Sequence, residues 1–217
     1  MEFLFSTLSR DGDFGELLRA IEKGRLPLGA TGLSQIHKAL VLGGICKELN
    51  KKLTLICHDE AAANSVCEDL RQMGIDALLL PQRDLNLARL QGYSKEYEHK
   101  RVDTLSRLLD GHFCVLVLSV DSALQYTMPP EILRENRIEI KSGDEVNITE
   151  YCDRFVNAGY VRSELCEGAG QFSVRGGIID IFPVNYENPI RIELWGDEID
   201  NISYFDTESQ RRGEGVE

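Results

Sequence analysis

Up to about residue 130, two hydrophobic patterns alternate along the chain. Short runs that are apolar nearly throughout predict buried strands at residues 51–57, 76–81 and 112–119. Before and between these strands, apolar residues recur every three or four positions and predict helices, among them residues 13–23 and 59–74. Strands that are apolar throughout and alternate with helices predict a parallel sheet covered on both faces. We therefore expect an α/β domain over residues 1–130.

Beyond residue 130 the pattern changes to short alternating segments separated by turn residues. Residues 137–141 alternate and predict a strand, and residues 147–157 have helical spacing. Four further strands are predicted in two pairs, one around Gly176-Gly177 and one around Gly196-Asp197, because both dipeptides suit tight hairpins. These strands are residues 172–175, 178–182, 189–195 and 198–205. The pattern predicts a small α+β domain with an antiparallel meander at residues 131–217.

Charge and composition narrow the possible partners. The net charge is −12, and residues 131–217 hold 19 acidic and 9 basic residues, a balance of −10. Such a domain would repel a phosphate backbone, so we expect either a protein partner or an ordinary solvated surface there. No apolar run is long enough for a membrane helix, and six scattered cysteines without a secretory signal favour the cytoplasm. The spacing of cysteines and histidines predicts no metal site.

A glycine-rich turn before the second main helix has the position of a phosphate-binding loop. Gly29 and Gly32 open it, but Ser34, Gln35 and Ile36 stand where such a loop has glycine, lysine and a hydroxyl residue. The lysine would reach the phosphates and the hydroxyl would hold magnesium. We therefore expect no nucleotide hydrolysis, no cofactor and no catalytic residue. Alternatively, the segment is an ordinary strand-to-helix turn.

The strand at residues 189–195 predicts a second kind of site. Alternation sends Ile190, Ile192 and Leu194 to the core, so Arg191 and Trp195 share the opposite face. An arginine and an exposed tryptophan are typical of the centre of a protein–protein interface.

A purely structural interpretation of that face stays open as well. In it, Trp195 folds over the edge of the sheet and Arg191 pairs with Glu193 or Asp197. Arg175, at the tip of the preceding hairpin, could lie near the same surface in either case.

The segments GQFSVRGGIIDIFP, PIRIELWGDEID and FDTESQR together resemble the second domain shared by UvrB and the transcription-repair coupling factors (Mfd). The resemblance covers essentially the whole chain. It favours the N-terminal UvrB-homology region of the coupling factors over UvrB, because the phosphate loop is degenerate and the stretch after residues 78–80 lacks an aromatic cluster. The Arg-Gly-Gly sequence that begins at Arg175 also resembles the coupling factors more than UvrB.

The resemblance implies a degenerate RecA- or helicase-like first domain and a second domain that binds UvrA. Family contacts fall on the positions of Arg175, Arg191 and Trp195, the last more often phenylalanine in relatives. RNA polymerase and DNA would be bound by domains absent from this chain, which is expected to be part of a longer protein. A UvrB-type helicase component and an acidic interaction domain unrelated to repair remain the alternatives.

Overall fold

A computed structural model describes residues 2–83 and 96–216. The chain divides into two compact units, Met1–Tyr126 and Thr127–Glu217. The first has a parallel sheet with helices and the second a mostly antiparallel sheet, so the predicted fold class is confirmed. The expected lack of an aromatic cluster concerns the stretch after residues 78–80, most of which lies outside the described residues.

The first unit alternates helices and strands as the pattern predicted. Its three strands are all parallel and lie in the order β1-β3-β2. The elements are α1 (Glu2–Leu8), α2 (Gly12–Glu22), α3 (Gln35–Leu49), β1 (Leu53–Cys57), α4 (Glu60–Gln72), β2 (Ala77–Leu80), α5 (Glu96–Asp110), β3 (Val115–Ser119) and α6 (Val120–Leu124).

The two faces of this sheet are covered unequally. One face packs with α4 in a core that includes Leu70 and Val117, both fully buried. On the other face α5 covers β2, where the Thr104 hydroxyl donates to the Leu79 carbonyl at 2.8 Å. At β1, Ile56 remains 56% exposed. Among the described residues, the expectation that both faces are covered is therefore not met at Ile56 of β1.

The second unit contains two helices and a six-stranded sheet in sequential order, β4 to β9. Strand β4 runs parallel to β5, and every later neighbour is antiparallel, so the predicted meander is confirmed. The elements are α7 (Pro130–Glu135), α8 (Ile148–Asn157), β4 (Val161–Arg162), β5 (Gln171–Arg175), β6 (Ile178–Ile181), β7 (Ile190–Trp195), β8 (Glu198–Phe205) and β9 (Arg212–Gly215).

The strand predicted at residues 137–141 is wrong. The segment joins no sheet, although Ile138 and Ile140 pack against the core and the residues between them are exposed. The backbone N–H of Lys141 donates to the Asp144 carboxylate at 2.9 Å instead of to a neighbouring strand. Burial of alternate side chains along an extended segment produced the pattern without strand pairing.

One face of the second sheet holds the core of this unit. The ring of Phe155 on α8 lies 5.3 Å from that of Phe172 on β5, centroid to centroid, and both side chains are buried. Asn147 caps α8 by accepting from two backbone N–H groups of its first turn. Because α8 and the core occupy this face, the alternate residues of each strand are turned to the opposite face.

Candidate partner-binding site

Strand register lines up four polar residues across that opposite face. Ser173 on β5 is opposite Asp180 on β6, Asp180 is opposite Arg191 on β7, and Arg191 is opposite Ser203 on β8. Asp180 and both serines are buried, and the Arg191 side chain is only 11% exposed. We call these four residues the polar row.

Asp180 is the centre of the polar row and binds two arginines. Arg191 donates from Nε to Oδ1 at 2.6 Å and from Nη2 to Oδ2 at 2.9 Å. Arg175 donates from Nη2 to the same Oδ2 at 2.9 Å. The hydrogen bond to Asp180 is the main reason that the pKa of Arg191 is raised above its ordinary value. Two guanidinium groups thus compensate one fully buried carboxylate.

Gln210 binds the same two arginines from the turn between β8 and β9. Its backbone carbonyl accepts from Arg191 Nη1 at 3.0 Å, and its side-chain Oε1 accepts from Arg175 Nη2 at 3.3 Å. The Arg191 guanidinium also lies 4.8 Å from the centroid of the Phe205 ring. Arg191 is therefore enclosed on several sides.

Asp206 orders the turn that carries Gln210. Its Oδ1 accepts from both the backbone N–H and the hydroxyl of Ser209, each at 2.7 Å. These hydrogen bonds lower the pKa of the Asp206 carboxyl below its ordinary value. The FDTESQR segment, quoted above only for its resemblance, therefore builds the turn against which Arg175 and Arg191 rest.

Trp195 lies at the end of β7 and is 85% exposed. It is on the same side of the strand as Arg191, with Glu193 between them. Glu193 accepts from the Asn201 amide at 3.2 Å and pairs with Arg212 at 3.2 Å. A local register shift in β8 leaves this alternation of β7 unchanged.

The three predicted site residues have different surroundings. The structure brings Arg175 and Arg191 together on Asp180, whereas Trp195 projects into solvent. The Arg191 partner is neither Glu193 nor Asp197, the two that the structural interpretation named. Sequence reasoning missed Asp180, although a single acidic residue inside the apolar strand at residues 178–181 was an available signal.

The glycine-rich turn of the first unit leads into α3. Gly32 has a φ of +77°, and Ser34 precedes α3 without capping it through its side chain. The Ser34 hydroxyl lies 3.1 Å from Nδ1 of His37, and Ile36 is exposed.

Gln35, at the position of the phosphate-loop lysine, is engaged by the neighbouring helix. Its amide nitrogen donates to the Ser65 hydroxyl and, at 3.3 Å, to the Asp69 carboxylate on α4. Asp59 accepts from a backbone N–H in the first turn of α4 and so caps that helix. The side chains at this turn therefore connect α3 and α4.

The described residues contain neither a candidate metal site nor a helix that could span a membrane. No group of three or more histidine, cysteine, aspartate or glutamate side chains in residues 2–83 and 96–216 could hold a metal ion. No helix in the same ranges is long and apolar enough to cross a membrane.

Comparisons with known proteins agree with the resemblance seen in the motifs. Residues 138–217 match the UvrB interaction domain. The chain is 30% identical over 213 residues to a transcription-repair-coupling factor of Bacillus subtilis, covering 97% of the chain. It is 31% identical over 220 residues to that of Staphylococcus aureus, covering 100% of the chain. In each case it spans 18% of the relative's length. The chain is thus related throughout to part of the transcription-repair-coupling factors, and its second unit carries a UvrB interaction domain.

Proposed function

We propose that this chain is a non-catalytic adaptor region that binds UvrA and so recruits nucleotide excision repair to stalled RNA polymerase. The match of residues 138–217 to the UvrB interaction domain supports this, together with relatives named as transcription-repair-coupling factors. The chain would act in the cytoplasm as part of a longer protein. RNA polymerase and DNA would be bound by other parts of that protein, and no membrane is involved.

The observation that carries the proposal is the exposure of Trp195 on the face of the sheet that also holds Arg175 and Arg191. Arg175, Arg211 and Arg212 are all exposed, in a unit whose overall charge is strongly negative. Tryptophan and arginine are among the residue types that contribute most binding energy at interfaces. We propose that Arg175, Arg191 and Trp195 form the partner-binding site.

The proposed absence of catalysis rests on the glycine-rich turn. Ser34, Gln35 and Ile36 replace the residues that would cradle phosphate, supply a cation and hold magnesium. The side-chain amide of Gln35 is already engaged in hydrogen bonds to α4. An adaptor therefore fits these residues better than the alternative of a UvrB-type helicase component.

Co-purification with UvrA tests the proposal. Immobilised chain should retain purified UvrA, while Trp195→Ala and Arg191→Ala should lose most of it. Arg134→Ala, which removes an exposed arginine from α7, serves as the matched control and should retain it. Absence of retention by the wild-type chain would contradict the function, and full retention by both site variants would contradict the site.

A further inference from the structure

The two arginines bound to Asp180 differ in how much of each remains for a partner. Arg191 uses Nε, Nη1 and Nη2 in hydrogen bonds within the domain, and its guanidinium lies against the Phe205 ring. Its side chain is almost covered. A partner could reach little of it without disrupting these contacts.

Arg175 is bound on one side only. Its side chain is 47% exposed, and within the described parts of the chain its hydrogen bonds all start from Nη2. The donors on Nε and Nη1 are therefore left for solvent or a partner. Glu193, on the same face, binds Asn201 and Arg212 through Oε2.

We propose that Asp180 is a positioning residue for partner binding: together with Arg191 and Gln210 it holds Arg175 so that the free donors of Arg175 meet a carboxylate of the partner. The inference rests on the proposed function, since UvrA supplies that carboxylate. Fixing a long side chain before binding removes an entropic cost that the complex would otherwise bear. Arg191 then contributes to the site mainly through Arg175, since only 11% of its own side chain is exposed.

Asp180, Arg191 and Gln210 together restrict the position of the Arg175 guanidinium. Asp180 Oδ2 accepts from both arginines, so Arg191 limits where Arg175 can lie on the carboxylate. Gln210 Oε1 gives Arg175 Nη2 a second acceptor. Two acceptors on one nitrogen fix the guanidinium more narrowly than a single surface ion pair does.

A double-mutant cycle with purified UvrA tests this proposal. Dissociation constants are measured for wild type, Asp180→Asn, Arg175→Ala and the double variant. We expect each single variant to bind at least ten-fold more weakly, and the double variant to bind no more weakly than Arg175→Ala alone. Multiplied losses in the double variant would overturn the proposal. Asp200→Asn, at an exposed position of β8, is the matched control and should bind as wild type does.

Gln210→Ala keeps the test decisive if Asp180→Asn folds poorly. It removes one of the two acceptors of Arg175 but leaves the backbone carbonyl that binds Arg191. We expect about three-fold weaker UvrA binding, and no further effect of Gln210→Ala in the Arg175→Ala background. Undiminished binding by Gln210→Ala would contradict the proposed positioning.

A readout without UvrA separates this inference from the proposed function. In wild type, the Nε–H NMR signals of Arg175 and Arg191 should be dispersed and sharp. Asp180→Asn should shift and broaden both, whereas Asp200→Asn should shift neither. If the wild-type chain fails to bind UvrA, the proposed function fails, and these signals still decide whether Asp180 orders Arg175. An unchanged Arg175 signal in Asp180→Asn would overturn the positioning role.

Discussion

Asp180 and Arg191 face each other on neighbouring strands and are joined by two hydrogen bonds, of 2.6 and 2.9 Å. Since Asp180 is fully buried, a slip of one residue between β6 and β7 would separate its carboxylate from Arg191, the more buried of its two partners. The pair therefore fixes the register of the strands that present Arg175 and Trp195. The pair supports the structure of the site as well as contributing charged groups to it.

Breaking this pair from either side should destabilise the second unit. We expect Asp180→Asn and Arg191→Ala to lower the free energy of unfolding by about 3–5 kcal/mol. Asp180→Asn leaves the nearly buried Arg191 without its carboxylate, and Arg191→Ala leaves the buried Asp180 with only the half-exposed Arg175. Asp200→Asn, at an exposed position, should change it by less than about 0.5 kcal/mol. Urea unfolding followed by the fluorescence of Trp195, the only tryptophan, measures both. A loss below about 1 kcal/mol in Asp180→Asn would contradict the account.

The hairpin beside Arg175 should tolerate no side chain at Gly177. A Cβ there would lie 3.1 Å from the Leu194 carbonyl oxygen, a backbone atom of the neighbouring strand. We expect Gly177→Ala to cost about 1–3 kcal/mol by forcing the strands apart. Gly168→Ala is the matched control, since nothing lies within 4 Å of its added Cβ and its φ is not positive. Equal unfolding midpoints for the two variants would show that the close approach is unimportant.

Two buried thiols should be unreactive and should make folding sensitive to high pH. Burial is the main cause that raises the pKa of the Cys166 thiol to about 12 and that of Cys46 to about 11. At pH 8 we expect iodoacetamide to modify neither in the native chain, while half-buried Cys152 reacts first.

The pH dependence of stability follows from the same shifts. An unfolded thiol loses its proton near pH 9.0, whereas the folded Cys166 keeps it until about 12. The folded state therefore binds more protons between these values, and the free energy of unfolding should fall as the pH rises through them. Cys166→Ala should make this fall shallower in urea unfolding from pH 8 to 10.5. A pH dependence identical to that of wild type would contradict the shift.

The glycine-rich turn should bind no ATP, even with its lysine restored. In Gln35→Lys the residues before and after remain Ser34 and Ile36, so backbone wrapping and the magnesium ligand are still missing. We expect no calorimetric heat from ATP with either wild type or this variant. ATP turnover by the wild-type chain would contradict the non-catalytic assignment.

Gln35→Ala should lower the free energy of unfolding by about 0.5–1 kcal/mol, because the hydrogen bonds to α4 are lost.

Local chemistry made much of the fold predictable. The hairpins at Gly176 and Gly196 were found because each needs a positive φ, +59° and +65° respectively, which glycine adopts without strain. Helix α8 was predicted from its spacing, and in the structure Asn147 caps it. These features depend on residues near one another in sequence.

Features that depend on distant residues could not be predicted in the same way. The order β1-β3-β2 follows from packing between elements far apart in the chain. Residues 137–141 have the alternation of a strand but no strand beside them. The partner of Arg191 is set by the register between β6 and β7, so Asp180 could not be chosen over nearer acidic residues from the sequence alone.

Calorimetric titration of UvrA into the wild-type chain, Trp195→Ala and Trp195→Phe tests the central claim most directly. Trp195 is exposed and makes no part of the core, so both variants should unfold at the wild-type urea concentration. We predict that Trp195→Ala binds UvrA about 30- to 100-fold more weakly, or about 2–3 kcal/mol, and that Trp195→Phe binds within about three-fold of wild type. Equal dissociation constants for wild type and Trp195→Ala would contradict the proposal that this face binds UvrA.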